Sequence, residues 1–173
     1  EHGYIYCDAE KQVSGDINLN FPRVGATENI MLAAVKTKGV TVIRNAAKEP
    51  EITDLQNYLN SMGAKISGAG TGMIVIEGVD KLSDVEHKVI PDRIAASTYL
   101  TAAAITGGSV ELTNVNPEHF QAVVAVLKEC GCNIKQGKDT IYLSRTSVLR
   151  PVDVIRTLPY PGFPTDMQAP MMS

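Results

Sequence analysis

Pro91-Asp92-Arg93-Ile94-Ala95-Ala96-Ser97-Thr98-Tyr99-Leu100-Thr101-Ala102-Ala103-Ala104-Ile105-Thr106-Gly107-Gly108 is the stretch whose reading decides the fold. Asp92 is an N-cap candidate, the segment after it is apolar on nearly every side, and Gly107-Gly108 supplies the stop, so a buried helix is predicted. Its Ala, Ser and Thr side chains are short enough to let neighbouring helices approach closely. The segments on either side of this helix read as two copies of one plan.

Downstream, the order is a strand over Ser109–Thr113, Asn116 as N-cap with Pro117 at the first helical position, an amphipathic helix ending at Gly131, and short strands over Asn133–Gln136 and Thr140–Ser144. Upstream, Val24-Gly25-Ala26-Thr27 leads into a helix predicted over 28–38, apolar all round at its centre and closed by Gly39, then a strand over 40–43. Pro50 opens an amphipathic helix on Ile52, Leu55, Leu59 and Met62, Gly63 stops it, and strands over Lys65–Ser67 and Met73–Glu77 flank a Gly-rich turn. Phe120, Val123, Leu127 and Cys130 stand 68 positions after Ile52, Leu55, Leu59 and Met62 (120 − 52, 130 − 62), and Gly131 comes after Gly63 by the same interval. The unit is therefore helix, strand, helix, strand, strand, copied along the chain. Tyr4-Ile5-Tyr6-Cys7 and Ile17-Asn18-Leu19 read as two strands that complete something begun upstream. A third copy starts at Thr165-Asp166-Met167, after a Pro-rich run, Leu158 to Pro164, that cannot be helix and is expected to be an ordered connecting loop. Lacking an initiator Met and stopping within an opening helix, the chain reads as an excised piece.

Bulk composition excludes several classes. With 173 residues, 44% hydrophobic and 20% charged, the chain has material for one domain or two small ones. A net charge of −3 without a basic run argues against a nucleic-acid surface, and no apolar stretch is long enough to span a membrane. Cys7, Cys130 and Cys132 are too few for a disulfide framework, which points to reduced thiols and a cytoplasmic location. Cys130-Gly131-Cys132 lacks the two-residue spacing of zinc and redox pairs, so both thiols are read as core residues and a thiol-based metal or redox protein is disfavoured. His2, His87 and His119 are scattered among polar neighbours and read as surface residues. Gly68-Ala69-Gly70-Thr71-Gly72 is succeeded by a strand and not a helix, so it is a hairpin turn and no phosphate cradle. Val24-Gly25-Ala26-Thr27 is different: a Gly-bearing turn entering a helix leaves free N–H groups and a positive dipole end for an anion, although the pattern alone favours a plain helix start. Asp92 and Asp166 are both explained by capping, but the rigid Pro-rich approach to Asp166 is where catalytic groups often stand.

Together, Val24-Gly25-Ala26-Thr27-Glu28-Asn29-Ile30-Met31, Asn45-Ala46-Ala47-Lys48-Glu49-Pro50-Glu51-Ile52, Ile90-Pro91-Asp92-Arg93-Ile94, Ala102-Ala103-Ala104-Ile105-Thr106-Gly107-Gly108 and Pro161-Gly162-Phe163-Pro164-Thr165-Asp166-Met167-Gln168 resemble, in order, stretches of the UDP-N-acetylglucosamine 1-carboxyvinyltransferase family. The resemblance implies an α/β fold of α+β repeats, the inside-out α/β barrel of enolpyruvyl transferases, with about two repeats present. It places the closing part of one domain at 1–89 and the opening part of the second at 90–173. It implies transfer of the enolpyruvyl group of phosphoenolpyruvate to the 3-hydroxyl of UDP-N-acetylglucosamine, with release of phosphate, as the first committed step of peptidoglycan synthesis. Metal and organic cofactors are not implied. The positions of Val24 and Gly25 contact the UDP part of the substrate in the family, Phe21 is placed beside the same nucleotide, and Arg23 stands where the family commonly has Ser, so that a guanidinium replaces a hydroxyl against phosphate. Asp166 matches the aspartate that takes the proton from the sugar 3-hydroxyl. The mobile loop with its cysteine and the main basic residues for phosphoenolpyruvate fall outside these 173 residues, which implies that this chain does not turn over by itself. The alternative is a non-catalytic paralogue of the same fold that binds an anion or a nucleotide sugar. The parent protein is expected to be a monomer, and the exposed edges of a truncated piece favour dimerisation.

Overall fold

The computed structural model describes residues 3, 4, 6 and 11–173. The strand read at Tyr4-Ile5-Tyr6-Cys7, and with it Cys7 and His2, therefore lies outside or only partly inside the described residues. The chain divides into two compact units, Glu1–Ala47 with Ile52–His87, and Lys48–Glu51 with Lys88–Ser173.

In the first unit, strands β1 (Asp16–Asn18), β2 (Val40–Arg44), β3 (Lys65–Ser67) and β4 (Met73–Glu77) form one sheet in the order β1-β2-β4-β3. β1 runs parallel to β2, and β2 and β3 each run antiparallel to β4. Alternation along β2 and β4 turns Thr41, Ile43, Ile74 and Ile76 inward. Helices α1 (Val24–Ala34) and α2 (Pro50–Ser61) cover that face with Met31, Ala34, Ile52 and Leu59. Gly63 closes α2 with a positive φ of 102°.

α1 differs from the helix expected over 28–38: it begins four residues earlier and stops at Ala34. At the start, Thr27 N–H donates to Arg23 O, which makes the Gly-bearing stretch the first turn of the helix itself. At the end, Val79 N–H takes the carbonyl of Val35, and the Thr37 hydroxyl turns back to Ala33 O, so the ladder cannot propagate to Gly39.

The second unit repeats the plan. α3 (Arg93–Thr106) is capped by the Asp92 carboxylate, which accepts from the N–H groups of Ile94 and Ala95, and it ends on Gly107 with φ 73°. Strands β5 (Ser109–Thr113), β6 (Asn133–Gln136) and β7 (Thr140–Ser144) pair antiparallel in the order β5-β7-β6, the same arrangement as β2-β4-β3. Asn116 and Pro117 do start a helical segment, but it opens as a 3-10 turn (Pro117–Phe120) before α4 (Gln121–Glu129). Phe120 leaves helical geometry, with φ −139° and ψ 33°, while its ring is nearly fully buried. Leu100, Val123, Leu127, Ile141, Leu143 and Met167 make the core of this unit.

Neither α1 nor α3 is buried all round. Leu32 on α1 is 52% exposed, and Tyr99 and Ile105 on α3 are 64% and 47% exposed, so each helix buries one face against its own sheet and presents an apolar second face. No helix among the described residues is long and apolar enough to cross a membrane.

Candidate functional site

In the first unit, the N-terminus of α1 is built to be left open. Arg23 occupies the N-cap position in an extended conformation, and no side chain caps the helix. Thr27 N–H is the first that bonds back along the chain, so the N–H groups of Val24, Gly25 and Ala26 precede the intrahelical ladder. The first turn carries no acidic residue that would offset the dipole, and Arg23 adds a positive charge where a cation is unfavourable without an anion nearby. Gly25 is exposed, and a Cβ built there would meet nothing within 4 Å. Packing within the chain therefore does not require Gly at this position. The guanidinium of Arg23 lies 5.9 Å from the centroid of the half-exposed Phe21 ring, which joins these two residues at the helix start. Val24 packs against the core, and the fully buried Thr27 fixes the turn: its hydroxyl donates to Arg23 O at 2.9 Å and accepts from Ala47 N–H at 3.0 Å. Phe21, Arg23, Val24 and Gly25 are thus brought together. Thr27, which positions them, carries no sequence signal beyond its place in the turn.

Asp166 belongs to the second unit, in a short 3-10 turn (Thr165–Met167) that leads into α5 (Gln168–Met172). Thr165 and Asp166 are exposed, whereas their neighbours Phe163 and Met167 are buried in the core of the unit. The approach is an ordered loop, as the prolines require. Leu158 N–H donates to Phe163 O, Gly162 N–H to Pro159 O, and Met167 N–H to Pro164 O, and the Tyr160–Pro161 peptide is cis. A carboxylate held out on a braced turn can accept a proton from a bound hydroxyl.

The second unit also holds a charged cluster that sequence reasoning missed. Arg93, only 8% exposed, donates through Nε to Glu51 Oε1 at 2.9 Å, and its guanidinium lies 5.6 Å from the Tyr160 ring centroid. Glu49 is also buried. His119 is not the surface residue expected. Asn116 Nδ2, which can only donate, lies 2.9 Å from His119 Nε2, so the ring proton sits on Nδ1, which is buried without a partner. Burial lowers the His119 pKa, Arg93 adds to that, and Glu51 and Glu118 oppose it. Burial likewise raises the Tyr160 phenol. His87 too departs from the surface reading, since its Nε2 pairs with Asp54 Oδ1 at 3.0 Å in a largely buried position in the first unit.

Cys130 is half-buried, Cys132 is buried, and both are free thiols whose pKa values burial raises. Burial disfavours the reactive thiolate at both, but only Cys132 joins the core cluster, so the reading of Cys130 as a core residue is corrected. No group of three His, Cys, Asp or Glu side chains suited to a metal occurs among the described residues.

The three-stranded antiparallel arrangement with paired helices that recurs in both units defines the class, and the chain belongs to the EPSP synthase (3-phosphoshikimate 1-carboxyvinyltransferase) family, whose sequence model matches residues 2–173. The fold is also found in an enolpyruvyl transferase, NikO of Streptomyces tendae, with a TM-score of 0.79 at 24% identity over 94% of this chain and 42% of that one. Among curated relatives, UDP-N-acetylglucosamine 1-carboxyvinyltransferase 2 of Caldanaerobacter subterraneus subsp. tengcongensis is 56% identical over 172 residues, 99% of this chain. UDP-N-acetylglucosamine 1-carboxyvinyltransferase 1 of Carboxydothermus hydrogenoformans is 53% identical over 171 residues. The chain spans 41% and 40% of the length of these two relatives.

Proposed function

We propose that this chain is the part of a UDP-N-acetylglucosamine 1-carboxyvinyltransferase that carries a share of the sugar-nucleotide site and the proton acceptor. The observation that carries the reading is 56% identity across 99% of the chain to a relative of that name. The uncapped start of α1, with Arg23 beside it, supports a role in holding the diphosphate of UDP-N-acetylglucosamine: backbone N–H groups and a dipole end meet the phosphoryl oxygens, and the guanidinium adds a charge-assisted hydrogen bond. Phe21 supplies an apolar ring next to them.

Asp166 takes the proton of the sugar 3-hydroxyl as that oxygen bonds to C2 of phosphoenolpyruvate, while C3 accepts a proton. Loss of a proton from C3 then restores the double bond, the C2–O bond to phosphate breaks, and the enolpyruvyl ether and inorganic phosphate remain. Residues 1–89 and 90–173 are read as parts of the two domains of the whole enzyme, which acts in the cytoplasm as a monomer.

The test is a titration of the chain with UDP-N-acetylglucosamine monitored by backbone amide NMR. Selective shifts at Val24, Gly25 and Ala26 that N-acetylglucosamine alone does not reproduce are expected. Equal shifts with both sugars, or none at the α1 start, would remove the diphosphate assignment.

A further inference from the structure

We propose that Arg93 and Tyr160 form a positioning pair that holds the Asp166 turn in place, a role that rests on the reading of Asp166 as the proton acceptor. The loop 157–167 is fastened to its unit at two points by burial, Phe163 and Met167, and closed on itself by the Thr157–Phe163 bridge and the Leu158–Phe163 hydrogen bond. Those contacts anchor the inner limb of the loop, and the Gly162 N–H to Pro159 O bond tightens the outer limb, Pro159-Tyr160-Pro161-Gly162, on itself without tying it to the rest of the unit. Arg93 provides that tie. The guanidinium lies 5.6 Å from the Tyr160 ring centroid, within cation–π range. Arg93 is buried and Tyr160 half-buried, a setting in which such a contact is stronger than at an exposed site.

The cation is itself immobilised from two sides. Arg93 is the first residue of α3, whose N-cap Asp92 fixes the helix start through two backbone N–H groups, and Glu51 Oε1 accepts from its Nε at 2.9 Å. A buried arginine paired with a carboxylate that is itself 39% exposed is a poor choice for stability alone, because desolvating the guanidinium offsets much of what the pair gains. It is a good choice for fixing one ring in one place. Arg93 and Tyr160 touch no reacting atom in this scheme; they act through the backbone on the turn that presents Thr165 and Asp166.

The experiment is amide hydrogen exchange and NMR on the chain with four substitutions, Tyr160→Phe, Tyr160→Leu, Arg93→Lys and Arg93→Met, without substrate. Tyr160→Phe keeps the ring face and is expected to preserve the wild-type exchange rates and chemical shifts at Thr165, Asp166 and Met167. Tyr160→Leu is expected to raise exchange at those three amides by about tenfold while Leu100, Val123 and Leu143 stay protected. Arg93→Lys should fall between wild type and Arg93→Met, since a cation without the planar fork stacks less well. A ring-current displacement of the Arg93 Nε–H signal, present in wild type and Tyr160→Phe and absent in Tyr160→Leu, is the signature that a purely space-filling role would not show. Unchanged exchange at Asp166 in Tyr160→Leu, or equal loss in Tyr160→Phe and Tyr160→Leu, overturns the proposal. The Tyr160 pair decides the matter even if Arg93→Met, which strands Glu51, unfolds the unit. Because no nucleotide sugar is used, failure here is distinct from failure of the UDP-N-acetylglucosamine titration.

Discussion

His119 shows how one neutral side chain can couple the second unit to pH. Its Nε2 accepts from the Asn116 amide, and burial, reinforced by Arg93, depresses its pKa below the ordinary 6.5 against the opposing pull of Glu51 and Glu118. The unfolded chain then binds this proton more readily than the folded one. Stability from His119 is fully present above about pH 6.5 and declines as pH falls through that value toward the lower folded-state pKa. Urea denaturation between pH 7.5 and pH 5.5 should therefore give a midpoint that falls on acidification, and His119→Gln should flatten the part of that slope due to this ring. A slope unchanged by the substitution would show that other groups carry it. The same residue marks a limit of sequence reading. Flanked by Glu118 and Phe120 it looks like a surface histidine, and only the 3-10 turn that precedes α4 draws it inward.

At the scale of elements, punctuation made most of the fold readable. Pro50, Gly63, Gly107 and Gly131 bracket helices where expected, the 68-residue interval separates equivalent turns, and the strands Lys65–Ser67, Met73–Glu77, Ser109–Thr113, Asn133–Gln136 and Thr140–Ser144 stand where alternation put them. The C-terminal end of α1 was not readable, because it depends on a carbonyl of Val35 taken by a residue 44 positions on (79 − 35). Nor was the Glu51–Arg93–Tyr160 cluster, whose members are far apart in sequence and meet only through tertiary packing. The site fared similarly. The Gly-bearing start Val24-Gly25-Ala26-Thr27 was legible as a helix N-terminus, whereas the roles read into Phe21, Arg23 and Asp166 came from resemblance and not from spacing.

Two glycines differ in what packing demands of them. Gly68 has φ 93° and a Cβ there would collide with the Met73 carbonyl, so Gly68→Ala should destabilise the β3–β4 hairpin by about 2 kcal/mol or more. Gly25 meets nothing, so Gly25→Ala should leave stability unchanged or raise it by up to about 1 kcal/mol through helix propensity. Thermal unfolding of the two variants checks both, and a Gly25→Ala chain as unstable as Gly68→Ala would contradict an α1 start free of packing demands.

On the scale of the whole molecule, the helices are suited to more contacts than these 173 residues supply. An amphipathic helix with one face in water ordinarily places charge on that face. α3 carries no charged residue after Arg93, and its exposed positions Ala95, Tyr99, Ala102 and Ile105 recur at helical spacing as one apolar stripe. On α1 the exposed Leu32 and Ala33 continue the same pattern. The stripe meets water, at a cost of about 25 cal/mol for each Å² of apolar surface, which self-association removes. A net charge of only −3 offers little repulsion against it. Light scattering coupled to size exclusion should therefore show a concentration-dependent mass above 18.6 kDa, and Tyr99→Glu combined with Ile105→Glu should return the chain to monomer without loss of the Leu100 and Leu143 core. A strict monomer at high concentration would mean that the stripe is too narrow, or too interrupted by Thr98 and Thr106, to drive association between copies.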